Sequence, residues 1–401
     1  RSRARSHPSP RRLRTLTTER VPGPILEDIP EAEVVLSDRA RPALEALAAE
    51  AGLTVEGSRR TQVVYRPGRS LVVTHDCRLD GPGGRLRRSI VLGAGPRAPS
   101  GGATVEGGGY EVQGWVYPHD PALPGLAMWF DAGSRSSLLA GTGLGAPDVL
   151  RARSYRPGRR AVLELVFSDR SVFVKAVRPK TVADLQARHR LLSATLPVPR
   201  SLGWLPDHGV VVMDGMAGET LATAGIAPSV AGLEALLDAI PATEYRVTPL
   251  RNRAAGHARR LRAILPGSAD RVSEIEGRLA AIEPGPAVAA HGDLHAGQLI
   301  VRDGVVAGLI DVDTVGMGER LDDIATLIAH LHVSALAGRP DLARMAEQFL
   351  AGFEARVDPA MLRPRIAAGV FGHAAGPWTR QQPDWELGVA ARLDAAEAWL
   401  G

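Results

Sequence analysis

The chain has 401 residues, 45% hydrophobic and 23% charged, enough to bury a large core across two or three domains and too apolar for a disordered protein. A net charge of only +4 and an aromatic content of 4% exclude the basic, aromatic-interleaved stripe of a nucleic-acid binder. The single cysteine, Cys77, excludes a disulfide framework and a cysteine-based zinc site and fits a reducing cytoplasm, and no apolar run approaches the roughly 18 residues of a membrane span.

Residues 1–20, RSRARSHPSPRRLRTLTTER, hold one acid, Glu19, among arginine, serine and proline. Nothing there can pack, so a disordered basic tail is expected, with a transit peptide as the other reading. The chain has no initiator methionine and is read as trimmed. Residues 21–148 are expected to form an α+β unit. Helical spacing over 39–53 predicts a helix, and alternating β-branched stretches at 61–66, 70–76, 87–92 and 110–117 predict an antiparallel sheet. The run GTGLG at 141–145 lacks the spacing of a dinucleotide loop.

A second set of strands begins near 149, with VLRARSY, AVLELVF and VFVKAV in succession. The pentapeptide YRPGR occurs at 65–69 and again at 155–159, each time before a strongly apolar strand. It is read as a degenerate duplication of a three-strand module; the alternative is a chance match in a chain rich in Arg, Pro and Gly. After 181 the apolar residues fall at helical spacing in 181–193, 229–239, 250–265, 270–282, 320–337, 340–355, 360–371 and 385–400. Between them, 299–301 and 305–311 read as two strands joined by the hairpin signal Asp303-Gly304. A mostly β half followed by a mostly α half suggests two lobes with a cleft between them.

Lys175 and Lys180 are the only lysines among 48 basic Lys and Arg residues. Lys175 sits in SVFVKAV, where Phe173, Lys175 and Val177 share one strand face and Val172, Val174 and Ala176 the other. A compact ammonium on a flexible stem reaches a phosphate from a narrow strand position where a planar guanidinium fits poorly; the bland reading is a lysine that snorkels to water. Downstream lies HGDLHAGQLIV, then GLIDVD, which places Asp293, Gln298 and Asp311 on adjacent loops. Phosphoryl transfer needs a carboxylate for the hydroxyl proton, oxygen ligands for Mg²⁺, and a cation on the phosphates. His291 and His295 stand four apart as metal ligands do on a helix, but Gly292 argues for a loop, and hydrogen bonding of that loop is expected instead of zinc.

HGDLHAGQLIV followed by GLIDVDTVGMGERLDDIATLIAHL resembles the aminoglycoside phosphotransferase family of the protein-kinase-like superfamily, with its HGD-x-H-x-x-N loop, I-D strand end and D-[IL]-A helix. The resemblance implies an α+β, bilobal protein-kinase-like fold: a small lobe and hinge over 149–216, a helical lobe over 217–401, and an added α+β cap at 21–148 of the kind seen in maltokinase-like members. It implies ATP and Mg²⁺ as cofactors, Asp293 as catalytic Asp, Asp311 and Gln298 as metal ligands, and Asp323, with His291, as support of the catalytic loop. Lys175, Arg156 and Gly158 would contact the nucleotide phosphates, and Met213, Asp214, Gly215 and Met216 would form the adenine hinge.

Two positions depart from the pattern. Gln298 stands for the family's Asn, as in maltokinase-like HGDLHxGQ, and the helix after Lys175 offers only Asp184 where the family places a Glu partner. The implied function is ATP- and Mg²⁺-dependent transfer to a hydroxyl of a sugar-like or aminoglycoside-like small molecule; the alternative is a non-catalytic nucleotide-binding scaffold. Asp313 and Asp322 are candidates for the acceptor site, with solvated acids as the other reading. Trp378, Gln382 and Trp385 in PWTRQQPDW are candidates for stacking on a sugar, with core packing as the other reading. A small-molecule acceptor, no nucleic acid and no membrane are the expected partnerships; the oligomeric state is left open.

Overall fold

In the computed structural model, which describes residues 24, 26–107, 109–140 and 142–401, the β half is two five-stranded antiparallel sheets. The expected tail at 1–20 lies outside the described residues. The first sheet is built from β1 (Thr54–Arg66), β2 (Ser70–Asp80), β3 (Leu86–Ala94), β4 (Ala103–Gly107) and β5 (Tyr110–Val116), in the order β1-β2-β3-β5-β4. The second uses β6 (Val149–Arg156), β7 (Arg160–Val166), β8 (Ser171–Val177), β9 (Ser201–Leu205) and β10 (Val210–Asp214), in the order β6-β7-β8-β10-β9. The two orders are the same.

The correspondence reaches single hydrogen bonds. In the first YRPGR turn, Asp28 accepts from the Tyr65 hydroxyl at 2.7 Å and from Gly68 N–H. In the second, Asp120 accepts from the Tyr155 hydroxyl at 2.9 Å and from Gly158 N–H at 2.7 Å. Gly68 and Gly158 have φ of +67° and +66°, the left-handed conformation that glycine adopts without a Cβ penalty. Each Asp precedes a segment that covers its own sheet. The helix Arg41–Glu50 buries Ala43, Leu44, Leu47 and Ala48 with Val63, Leu71 and Leu92 of the first sheet. Leu123, Leu126, Trp129 and Leu139 pack on Leu163, Val174 and Val210 of the second. This corrects the expected boundary at 148/149, because residues 123–139 pack with the second sheet. It also extends the three-strand repeat to five strands plus a helical cover.

β1 begins at Thr54, seven residues before the expected strand, because register shifts at Val55/Gly57 and Arg60/Gln62 break its alternation. β4 has no signal in its Gly-rich surroundings and is held by pairing to β5. The helix Pro179–Ser193 is inserted between β8 and β9; only eight residues separate the equivalent β3 and β4.

The second half is helical. Arg320–Leu336 is its centre, with Ile324, Ala325, Leu327, Ile328, Ala329 and Leu331 all buried, flanked by Pro340–Glu354 and Pro359–Gly372. Leu250–Ile264, Ala269–Ala280 and Trp385–Leu400 complete the layer. Four short strands, β12 (Ala287–Ala290), β13 (Leu299–Arg302), β14 (Val305–Leu309) and β15 (Gly316–Glu319), sit at its edge against β11 (Glu219–Thr220), with β12 paired to β15 and β13 to β14 and β11. The architecture is α+β, a β-rich half followed by a helical half. Among the described residues no helix is long and apolar enough to cross a membrane.

Candidate active site

The loop between β12 and β13 carries HGDLHAGQ. Asp323, in the first turn of Arg320–Leu336 and buried, accepts from His291 N–H at 2.6 Å and Gly292 N–H at 2.7 Å. Two charge-assisted bonds from one carboxylate fix the loop where it leaves the sheet. Thr314 donates to His291 O at 2.8 Å, and the buried His291 ring bonds Ile310 O at 3.3 Å. Gly292 has φ +82°, and a Cβ there would lie 2.8 Å from Thr314 O, so only glycine passes. Asp293 follows, half-buried, with no side-chain hydrogen bond among the described residues. Burial pushes its carboxyl up, against the pull of His291, Arg253 and Arg156. It is a free carboxylate with raised basicity.

Across the cleft Lys175 is buried on β8 between Val162 and Val211. Its Nζ donates to Asp311 Oδ1 and Asp313 Oδ1, each at 2.5 Å. Arg160, at the start of β7, lies 3.0 Å from Asp311 and 3.4 Å from Asp313. Burial alone would raise the Asp311 carboxyl, but Lys175 and Arg160 outweigh it and hold the group well below the usual carboxylate range. Asp311 has φ +56° and caps the turn Val312–Thr314. The partner of Lys175 is therefore this carboxylate pair. Asp184 is exposed, and the helix Pro179–Ser193 turns His189 to the site, within electrostatic reach of Lys175, Asp311 and Asp313. Burial first, then Lys175, pushes His189 down, so it stands there neutral.

Several expected residues lie elsewhere or are otherwise engaged. Gly158 N–H is taken by Asp120, and its carbonyl accepts from Arg178 at 2.7 Å, so that amide is not free for a phosphate; Arg156 beside it is exposed. In the hinge, Gly215 N–H is used by Ser171 O at 3.0 Å, Met213 packs with Val177, Val182 and Leu185, Asp214 pairs with Arg200 at 3.4 Å, and the Met216 methyl lies over Gly308. Asp313 accepts from Lys175. Asp322 is buried: it accepts from Leu250 N–H at 2.8 Å and pairs with Arg365 at 3.3 Å, and so braces two helices. Trp378 is a core residue. It and Trp385 line a cavity of about 580 Å³ against Pro24, Leu26, Ile29, Ala32 and Leu36, and its walls include none of Lys175, Asp293 and Asp311. Gln382 caps that corner through its backbone, donating to Pro377 O at 3.0 Å. Sequence reasoning missed Arg160 and His189, although Arg160 directly follows the second YRPGR. It also missed Arg253, which donates to Gly292 O at 3.1 Å.

Gln298 Oε1 accepts from His295 N–H at 3.0 Å, and Nε2 is buried without a partner. The amide oxygen retains a second lone pair, and Asp311 is an ionised carboxylate. Among the described residues no group of three or more His, Cys, Asp or Glu could hold a metal by itself. Two hard oxygen donors fit Mg²⁺, which takes its other ligands from water and substrate phosphates.

The model of the phosphotransferase enzyme family matches residues 157–365. Among curated proteins no match is found. Solved structures similar to the chain include macrolide 2′-phosphotransferase MphH from Brachybacterium faecium, at 20% identity, covering 65% of this chain and 98% of that one with a TM-score of 0.43. Aminoglycoside phosphotransferase APH(4)-Ia, solved with AMP-PNP and hygromycin B, gives 15%, 67%, 98% and 0.46. Aminoglycoside phosphotransferase APH(3″)-Id from Streptomyces rimosus gives 21%, 60%, 96% and 0.41. With more than half of its length inside the family match, the chain belongs to the phosphotransferase enzyme family, APH, and is a phosphotransferase.

Proposed function

We propose that the enzyme transfers the γ-phosphoryl group of ATP, with Mg²⁺, to a hydroxyl of a sugar-like or aminoglycoside-like small molecule. The observation that carries this reading is the meeting of Lys175 with Asp311 across the cleft from a free, half-buried Asp293. Asp293 takes the acceptor's hydroxyl proton as its oxygen bonds to the γ-phosphorus; the bond to the β–γ bridging oxygen breaks and ADP leaves. Lys175 moves from the carboxylate pair to the phosphates as nucleotide enters. Asp311 and Gln298 hold Mg²⁺, which when bound neutralises phosphate charge. His291 and Asp323 keep Asp293 aimed, and residues 213–216 bound the adenine with the backbone groups that Ser171 leaves open. A cytoplasmic location belongs to the same reading, and the free, buried thiol of Cys77 supports it.

The test is phosphorylation of a sugar and aminoglycoside panel by wild type, Asp293→Asn and Asp311→Asn, with nucleotide binding measured alongside. Asp293→Asn should lose transfer and keep nucleotide affinity; Asp311→Asn should raise the Mg²⁺ requirement or end turnover. Wild-type transfer by Asp293→Asn would overturn the mechanism.

A further inference from the structure

We infer that the acceptor of this enzyme is an anion, a hydroxylated small molecule bearing a carboxylate or phosphate, bound by arginines that the two YRPGR turns and the helix Leu250–Ile264 bring together beside Asp293. The inference rests on the phosphotransferase reading and narrows its acceptor class.

The two turns come from different sheets but meet. Pro99, in the loop after β3, lies where a Cβ on Gly158 would be 2.7 Å away, and Trp115 of β5 donates to the Tyr155 hydroxyl at 2.8 Å. This contact brings Arg66 of the first turn within electrostatic reach of Arg159 of the second and of Arg178. From the helical lobe Arg260 reaches the same place, donating to Tyr65 O at 3.1 Å. Among the described residues none of Arg66, Arg159 and Arg260 makes an ion pair. Arg66 and Arg260 feel burial and then other arginines, with no carboxylate acting on either. The nearby carboxylates are occupied: Asp28 and Asp120 are each latched to their own turn.

The cluster continues to the reacting group. Arg156 of the second turn and Arg253, one turn of helix before His257, both act on Asp293. Arg253 is fixed there by its bond to Gly292 O. Beyond them the wall is imidazole. His295 stacks on His330 at 4.5 Å between centroids, and His330 meets His373 edge-on at 5.7 Å. His257 lies beside Gly372 on the same side. The charged groups acting on His257, His330 and His373 are arginines and other histidines, never an acid. Positive charges held together without partners repel one another, and an anion entering among them removes that repulsion. A polycationic aminoglycoside would add to it, because Asp293 is needed for the proton and Asp311, the other carboxylate acting here, is already held by Lys175 and Arg160.

The test uses the whole chain saturated with AMP-PNP, so that nucleotide phosphates already occupy their own site. Calorimetry then measures glucuronate, glucose 6-phosphate, glucose and hygromycin B. At least one of the two anionic sugars should bind tenfold or more tightly than glucose, with hygromycin B the weakest. Comparing the two tells carboxylate from phosphate. Raising NaCl from about 50 to 300 mM should erode the advantage. Arg66→Gln and Arg260→Gln should each reduce it about fivefold or more with AMP-PNP affinity unchanged, and Arg66→Gln should also leave the melting temperature unchanged, whereas Arg260→Gln gives up its bond to Tyr65 O. Arg66→Lys, which keeps the charge, should retain most of the advantage. Tighter binding of hygromycin B or glucose than of both anionic sugars, or an anion advantage indifferent to Arg66→Gln, overturns the inference. Mg²⁺-dependent transfer to hygromycin B or glucose alone would leave the phosphotransferase reading standing and this one fallen. Tight anion binding without transfer to any acceptor would count against the reaction and not against the site.

Discussion

Asp293 is aimed by its neighbours, and single-residue changes should act through that aim. Gly292→Ala forces a methyl to within 2.8 Å of Thr314 O and 2.9 Å of Val247 Cγ2 at φ +82°. We expect a cost of about 1–3 kcal/mol and a loss of turnover of at least about a hundredfold, read by melting temperature and kcat together. An active Gly292→Ala enzyme would show the loop tolerates repositioning. Basicity should follow charge. Burial holds the Asp293 carboxyl up while His291, Arg253 and Arg156 pull it down. Removing a cation must raise it further, so Arg156→Gln should move the acid limb of kcat to higher pH. A limb that stays or moves down would place Arg156 too far away to matter. The residues of this loop were legible in the sequence because the chemistry fixes both type and local spacing: HGD, a following amide, an Asp at a strand end. Roles that depend on distant partners were not. Asp313 and Asp322 look alike as acids, yet one meets a lysine 138 residues earlier and the other an arginine inside a helix pair.

Helices were legible from spacing, but what each helix turns toward its neighbour was not. Asp184 and His189 both lie on Pro179–Ser193; the first is exposed and the second buried, a matter of rotation that the weak apolar periodicity of that helix does not announce. The same holds for the three helices that bring His257, His330 and His373 together. Burial, then neighbouring arginines and histidines, pushes each down to about 4. An unfolded histidine takes its proton near pH 6.5, so between about 6.5 and 4 the unfolded chain binds protons that the native chain does not. Stability is therefore complete above pH 6.5 and falls as the pH drops through that window, by up to about 1.4 kcal/mol per pH unit for each histidine. Urea midpoints at pH 7.5 and 5.5 should differ clearly, and replacing His330 by Phe should shrink the difference. A midpoint that is flat across the window would mean that these rings are protonated in the native protein.

At the scale of the whole molecule the repeat explains both the arrangement of the cap and its loss of chemistry. Counted from the shared turn, Leu71 pairs with Ala94 as Ala161 pairs with Ala176, so Gly93 stands where Lys175 stands. Gly93 is packed against Ala98 and Pro99, and no inserted helix follows β3. The first module has given up the phosphate-reaching position and become a support for the second. YRPGR made the repeat visible, but its extent was hidden, because Asp28 and Asp120 lie 37 and 35 residues before the tyrosines they hold. The support is not a loose attachment. The first sheet's outer face, Val72, Val91 and Trp115, closes over Tyr155. Arg260 ties Tyr65 to the helical lobe, and apolar residues of the cap run without a break into those of the helices. Two modules that share a face in this way should unfold as one unit. Calorimetry should give a single transition, with the calorimetric and van't Hoff enthalpies equal. Trp115→Phe, which strips the Tyr155 hydroxyl of a donor, should lower that one transition by about 1 kcal/mol of stability and should not split it. Two separable transitions, one of them silent to bound nucleotide, would show that the cap folds on its own and that its arginine turn reaches the cleft without being built into it.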